Sequence, residues 1–598
     1  MKIDFSQTGL KMKENVAACL QGHESRCRTL LEREASGPIE LPSLDNLVHR
    51  LYPMAVGRDI AEGNVILREL AEWLDRPSDG IQNPQGECDF VALKLCRFWH
   101  LFHQKSVLEP ITVEKIRGFY LRHNFASHYQ SENHALIFHA TRYLMAQEFS
   151  QETFQAYGKT GEELIPLEVE WLTRYLRHRA QRGWGEFDSA VYMCPDWECL
   201  CGLYDYSQDV ALKEMVGKMM NLLLADMAVD SLCGMYAGAH GRIYPHQALD
   251  HGWEPTRVLQ YLYFGLFEPT EITGHNFLLD AVLCTFRPHP AVIDLALNRI
   301  EPYENRERKH LHNLADVLPL EPLEGSLRKY TYWTPDYAMG AVQFQDAYPT
   351  NSPRPCDCLS HPLMALHGQV DAGQSCTHEY AHHQQHQWDL SFAARPDARL
   401  FTHHPGQDGT HNYWTGDRLC GCGHFFQNKT ALVALYDIPQ SQPMHWIHAY
   451  VPRAAFDEVV EREGALFVRS GESIAALLIL PRYRWTTDGE WKDREVISDG
   501  LRHGVICEVG SLADFGSFTA FQTEILSNVI RYDELAMTLA YASKHAGVLE
   551  IDTHGRRQWN GKPVDLNYVT YDSPHLRSAW KSGQIEIIGS SESLKFEF

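Results

Sequence analysis

No run in this 598-residue chain is apolar for long enough to span a bilayer. The opening residues Met1-Lys2-Ile3-Asp4-Phe5-Ser6-Gln7 carry no apolar signal core, so a cytoplasmic protein without a membrane partner is expected. Basic residues are scarce: 54 Lys and Arg against 77 Asp and Glu leave a net charge of −23. That balance argues against nucleic acid, whose phosphates are held by cationic surfaces, and against an anionic membrane face. It does not exclude an anionic sugar, because a local cluster of Arg and His outweighs charges lying beyond a Debye length of about 10 Å. Also missing are a Gly-rich phosphate loop, a dinucleotide-binding fingerprint and a Gly-x-Ser-x-Gly elbow, so nucleotide, redox and serine-hydrolase chemistry have no motif to stand on. Cysteine is present as an odd number, 15. Several, such as Cys96, Cys194, Cys199, Cys201 and Cys233, sit in or beside apolar helical runs, which reads as buried free thiols instead of a disulfide framework.

What is present divides in two. Residues 1 to about 320 read as helix after helix. The clearest stripe is Leu212, Met215, Val216, Met219, Met220, Leu223 and Leu224, one apolar face at helical spacing. Similar stripes run over residues 60–74, 91–102, 134–149, 165–178 and 258–267, and another begins at Pro288. Ten to twelve helices at even spacing, without a crisp repeat, fit helix pairs arranged in a ring with their end loops around one cleft. Leu318-Pro319-Leu320-Glu321-Pro322-Leu323-Glu324-Gly325 reads as a linker. Beyond it, strand-like runs follow at 431–436, 446–450, 465–469, 474–480, 504–509, 517–526, 535–542 and 547–552. Asn560-Gly561 marks a hairpin turn, and two closing strands fall near the C-terminus. The expected fold is α+β and multidomain: a helical (α/α) toroid over residues 1–325, then an antiparallel β-sandwich over residues 326–598.

Each half carries polar clusters. Asn133-His134 opens a helix, with Ser131 as its N-cap; the amide can bind a carboxylate and the imidazole can accept a proton, the alternative being a cap and a core histidine. Residues 185–192 form a polar loop with Glu186, Asp188 and Tyr192. Trp184 and Trp197 flank it and offer faces to a sugar ring, unless they are packed residues. His240, Arg242 and Tyr244 share five residues of a Gly-rich loop, where a guanidinium fork can hold a carboxylate. In the second half, His378-Glu379-Tyr380-Ala381-His382 matches the His-Glu-x-x-His string, but its flanks lack the helical stripe that the zinc chemistry of that string requires. Imidazoles at His386, His403, His404 and His411 suit Zn²⁺ or another divalent metal. Tyr413 and Trp414 are further aromatic sugar contacts. Cys420-x-Cys422-x-His424 brings only three donors together and reads as incidental.

A helical toroid followed by an antiparallel β-sandwich resembles the heparinase II/III-like and alginate-lyase-like polysaccharide lyases over nearly the whole chain. Asn133-His134 resembles the Asn-His pair at which those enzymes neutralise and attack a uronate. Tyr192 or Tyr244 resembles the family tyrosine, and Arg242 the arginine that orients it or the carboxylate. His386-Gln387-Trp388-Asp389-Leu390, followed by residues 400–406, resembles the place of their catalytic histidine and metal-binding groups. The chain departs from the family in lacking a His-x-Asp-x-Gly run there and in having His403-His404 where an Asp is common. The resemblance implies β-elimination on uronic-acid-containing oligosaccharides. The alternatives are a glycoside hydrolase of glucuronidase type, which would pair Glu186 with Asp188, and a non-catalytic carbohydrate-binding protein. An oligosaccharide is the expected partner, and a homo-oligomer is compatible with the sequence.

Overall fold

The computed structural model describes residues 12–36, 51–75, 88–122, 132–272, 277–310, 326–345, 389–405, 413–414, 422–442 and 444–598. The predicted stripes become helices: Ile60–Leu74, Cys88–Phe102, Glu132–Glu148, Gly161–Arg182, Val210–Val229, Arg257–Phe264 and Pro290–Leu297. Met193–Tyr206 adds one directly after the polar loop. Local chemistry sets their ends. Thr160 caps Gly161–Arg182 through a reciprocal pair with Glu163, whose carboxylate takes the Thr160 N–H at 2.8 Å. The same helix stops at Gly183, whose φ of 72° favours a residue without Cβ. Helices pack on the next one, as Glu132–Glu148 on Gly161–Arg182, and on the next but one, as Cys88–Phe102 on Glu132–Glu148 and Glu132–Glu148 on Met193–Tyr206, and the first, Met12–Ser36, packs on Arg257–Phe264, Leu278–Leu283 and Pro290–Leu297, so the two ends of the helical region meet. No helix among the described residues is long and apolar enough to cross a membrane.

Strand pairing begins earlier than the 326 boundary drawn from the sequence. Tyr303–His310 already pairs antiparallel with Ser326–Trp333, inside one sheet of twelve strands. The predicted linker 318–325 lies outside the described residues. Among the described residues all the pairings in the second half are antiparallel, and they make three stacked sheets of twelve, six and five strands in place of a two-layer sandwich. The six-stranded sheet is the middle layer. On one face Leu432, Ala434, Leu477 and Val505 meet Met339, Phe392, Leu400 and Ile447 of the large sheet. On the other, Val433, Leu435, Ala476 and Ile506 meet Leu539, Tyr541, Leu549 and Ile551 of the small one. Burial on both faces explains why Ala431–Asp437 and Ser473–Leu480 read as continuous apolar runs without alternation. One predicted strand is a helix: Phe518–Ser527 is capped by the Ser517 hydroxyl and buries Phe518, Phe521 and Ile525, the i, i+3, i+7 spacing of a helical face. Asn560 and Gly561 form the expected turn, both at positive φ, with Trp559 paired to Lys562.

The last strands return to the helical half. Tyr571, Leu576, Ile585 and Ile587 join its core. The Asp294 carboxylate accepts from Ser591 N at 2.7 Å and Ser590 Oγ at 2.8 Å. At the seam, Lys329 contacts Asp188, Asp230 and Glu307, and Lys309 contacts Asp226 and Glu307, all buried. Removing one partner from such a network leaves a buried charge uncompensated, so the network fixes how the halves sit.

Candidate active site

The loop after Gly183 is held from beneath. Glu132 is fully buried, and its carboxylate accepts from Gly185 N at 3.0 Å and Glu186 N at 2.6 Å while pairing with Arg179 at 3.0 Å. Burial pushes Glu132 up to about 7 against the pull of Arg179. A second loop, residues 239–244, is stitched to the first. Gly241 N donates to Phe187 O at 2.7 Å, and Ser189 Oγ donates to Arg242 O at 2.5 Å while accepting from Tyr192 N at 2.9 Å. Position 241 admits only glycine, since a Cβ there would lie 2.9 Å from both Phe187 N and Phe187 O.

These stitches bring five of the sequence-selected residues into one chain of contacts. Asn133 Nδ2 reaches Glu186 Oε2 at 3.5 Å. Glu186 Oε1 accepts from Arg242 at 3.0 Å. The Arg242 guanidinium lies 3.8 Å from the Tyr192 ring centroid and 3.4 Å from the Tyr244 hydroxyl. The hydroxyls of Tyr192 and Tyr244 are in hydrogen-bond contact. Asn133 and Glu186 are buried, whereas Tyr192, Arg242 and Tyr244 are half-buried and reach solvent. Burial holds the Tyr192 phenol well above its ordinary value, against the opposing charge of Arg242, so the hydroxyl keeps its proton. Beside this chain, half-buried His134 directs Nδ1 to Asp89 Oδ2 at 2.5 Å. That contact fixes the orientation of the imidazole ring.

Other sequence candidates lie elsewhere. His240 is buried with its ring 5.9 Å from Tyr236. Trp197 is fully buried against Tyr263 and Phe286, and Trp184 is buried against Tyr175 and Arg179, so both are packing groups that present no face to a sugar. Asp188 faces the seam and Lys329, turned from Glu186's partners, which leaves Glu186 without that carboxylate across a cleft. His386, His411 and the 378–382 string lie outside the described residues, as does Ser131.

In the β region, the strand Arg399–His403 connects to the first cluster: Arg399 Nη1 donates to Ala248 O at 2.8 Å, in the short helix that follows Tyr244. At its other end His403 is buried, 4.0 Å from Asp389, with its ring 6.0 Å from that of His448. His448 is oriented by Glu495 at 2.8 Å and covered by Trp414, stacked at 4.0 Å. Trp414 is therefore a buried support; Tyr413 is half-buried and donates to Glu495 at 2.7 Å. His404 contacts Met444 O at 3.0 Å, a backbone partner. The acidic group Asp188, Asp226, Asp230 and Glu307 has the spacing of metal ligands, but Lys309 and Lys329 already occupy its centre as counter-charges. Sequence reasoning missed Glu132, Asp89, His448 and Glu495. Glu132 adjoins Asn133 and was within reach; the other three act across long sequence separations that leave no local signal.

No family model matches the chain, and no curated protein matches it. Among solved structures, a crystal structure of heparinase III is similar at 10% identity and a TM-score of 0.36, covering 88% of this chain and 81% of the other. A heparinase III gene product is similar at 9% and 0.31, covering 97% and 90%. A chondroitin AC lyase variant from Streptomyces coelicolor A3 is similar at 10% and 0.33, covering 97% and 88%. At these scores the likenesses carry no argument about this chain, and the functional reading rests on its own side chains.

Proposed function

We propose that the protein is a carbohydrate lyase that cleaves uronic-acid-containing oligosaccharides by β-elimination, with the helical half read as an (α/α) toroid. The observation that carries this reading is the contact chain Asn133–Glu186–Arg242–Tyr244–Tyr192 beside the His134–Asp89 pair. Arg242 and Asn133 hold the substrate carboxylate and stabilise the charge that develops on it when the C5–H bond breaks. His134 takes that proton. The electron pair forms the C4–C5 double bond, the C4–O bond breaks, and Tyr192 or Tyr244 protonates the departing oxygen. A half-buried phenol that keeps its proton is in the form an acid must have before it gives that proton up. Each acid or base step is worth roughly 10²–10⁴-fold.

A divalent metal such as Zn²⁺ is proposed at His386, His403, His404 and His411 on the sequence alone, where it would supply positive charge on the β side of the site. His386 remains the proposed additional catalytic histidine on the resemblance alone. Turnover in ¹⁸O-labelled water tests the reaction class: the lyase reading expects no label in either product fragment, and label in the new reducing end contradicts it.

A further inference from the structure

The β half presents a patch of aromatic rings around the guanidinium of Arg494, in a chain whose acidic residues outnumber its basic ones by 77 to 54. Arg494 lies in the turn before the strand Glu495–Asp499. Its N–H donates to Trp491 O at 3.0 Å, and Arg494 O accepts from Val451 N at 2.8 Å, so the turn is pinned. The guanidinium sits between two rings, 5.3 Å from the centroid of Trp491 and 5.4 Å from that of Tyr450, and Nη2 donates to Tyr450 Oη at 3.0 Å. Among the described residues no carboxylate pairs with it, and its Nε and Nη1 have no partner. Arg494 is half-buried, and neither of those two atoms is enclosed. Tyr413 stacks on Trp491 at 5.9 Å and meets Trp446 at 5.7 Å. Both indoles are half-buried, and their N–H groups have no acceptor among the described residues and are not enclosed. The free polar groups of these three side chains are all donors. A ligand that suits them carries acceptors, negative charge and an apolar face.

The patch adjoins the Tyr192–Tyr244 contacts. Leu249, the last residue of the short helix that follows Tyr244, packs against the same Phe401–Trp414–Tyr450 cluster as Tyr413 and Trp491. At 1.5 Å per residue, Leu249 is about 7.5 Å of helix beyond Tyr244. We propose that Trp446, Trp491 and Arg494 bind one acidic unit of an oligosaccharide, beyond the unit held at Arg242. Arg494 takes that unit's carboxylate on a free N–H, and the sugar ring packs on the exposed parts of the two indoles. The choice of an acidic sugar as the occupant rests on the lyase reading.

The test is calorimetric titration of the full-length protein with tetrasaccharides of galacturonate, mannuronate and hyaluronan, each beside its carboxyl-reduced form. A His134→Ala background keeps the sugar from being consumed. At least one acidic tetrasaccharide is expected to bind saturably. Arg494→Gln should weaken that binding by about tenfold or more, the scale of one charge-assisted hydrogen bond, and leave the carboxyl-reduced form unaffected. Trp446→Ala should weaken both forms, because it removes ring contact and no charge. An unchanged acidic affinity in Arg494→Gln, an equal loss for both forms, or no saturable binding by any of the three acidic sugars overturns the proposal. A tetrasaccharide that binds as expected, yet gives no unsaturated product with the wild-type protein, contradicts the lyase reading alone.

Discussion

The guanidinium of Arg242 lies 3.8 Å from the ring centroid of Tyr192 while forming an ion pair with Glu186 at 3.0 Å. A planar cation does both at once, stacking on a ring and donating in its own plane, and an ammonium does not. Arg242→Lys is therefore expected to lower turnover on a uronate oligosaccharide by more than about tenfold while thermal stability stays near wild type. Steady-state kinetics beside a melting curve checks this. A lysine variant with full turnover would remove Arg242 from the carboxylate-holding role.

Tyr192 and Tyr244 share a hydrogen bond, so either can pass a proton outward. Each single Phe variant should lower kcat by about tenfold or more, as loss of a general acid does, and the double variant should cost less than the product of the two because the hydroxyls act as one unit. Multiplicative losses would instead mean two independent roles.

His134 depends on Asp89 for its orientation. Asp89→Asn should lower kcat by more than about tenfold with the fold intact, and His134→Ala should lower it at least as far. Unchanged rates in both variants would place the base elsewhere.

Buried carboxyls couple pH to stability, Asp226 at the seam and Glu198 and Glu254 within the helical half. Burial raises Asp226 to about 8, and it raises Glu198 and Glu254 to about 8 as well, far above the range of roughly 4 in an unfolded chain. Between about pH 6.5 and 8 the folded protein thus holds protons that the unfolded chain has released, so stability falls as pH rises through that window. The urea midpoint should be higher at pH 6.5 than at pH 8.5, and Asp226→Asn should narrow the gap. Lys329→Met, which strands Asp188, Asp230 and Glu307 together, should destabilise by roughly 3–5 kcal/mol.

Helices were legible wherever apolar spacing ran unbroken, as in Val210–Val229, and the Asn560-Gly561 turn was legible because few residues accept its backbone angles. The misread stretch 517–526 shows the limit: Phe, Thr and Ile raised its strand propensity, while the capping Ser517 and the Phe518–Phe521–Ile525 spacing pointed to the helix that forms. At the site, loop residues rich in Arg, Tyr and Asn stood out locally, and the fold brings Tyr192, Arg242 and Tyr244 into contact. Trp184 and Trp197 were misjudged because the same indole serves a core or a sugar platform, and only burial separates the two. Asp188 looked like Glu186's partner two residues away, yet its positive φ of 49° turns it to Lys329 across the seam.

The most direct measurement is the ultraviolet absorbance of reactions with a panel of uronate-containing oligosaccharides, read together with product masses. The account predicts a new absorbing C4–C5 double bond and fragment masses that sum to the substrate's. Cleavage that adds a water and brings no absorbance would contradict it.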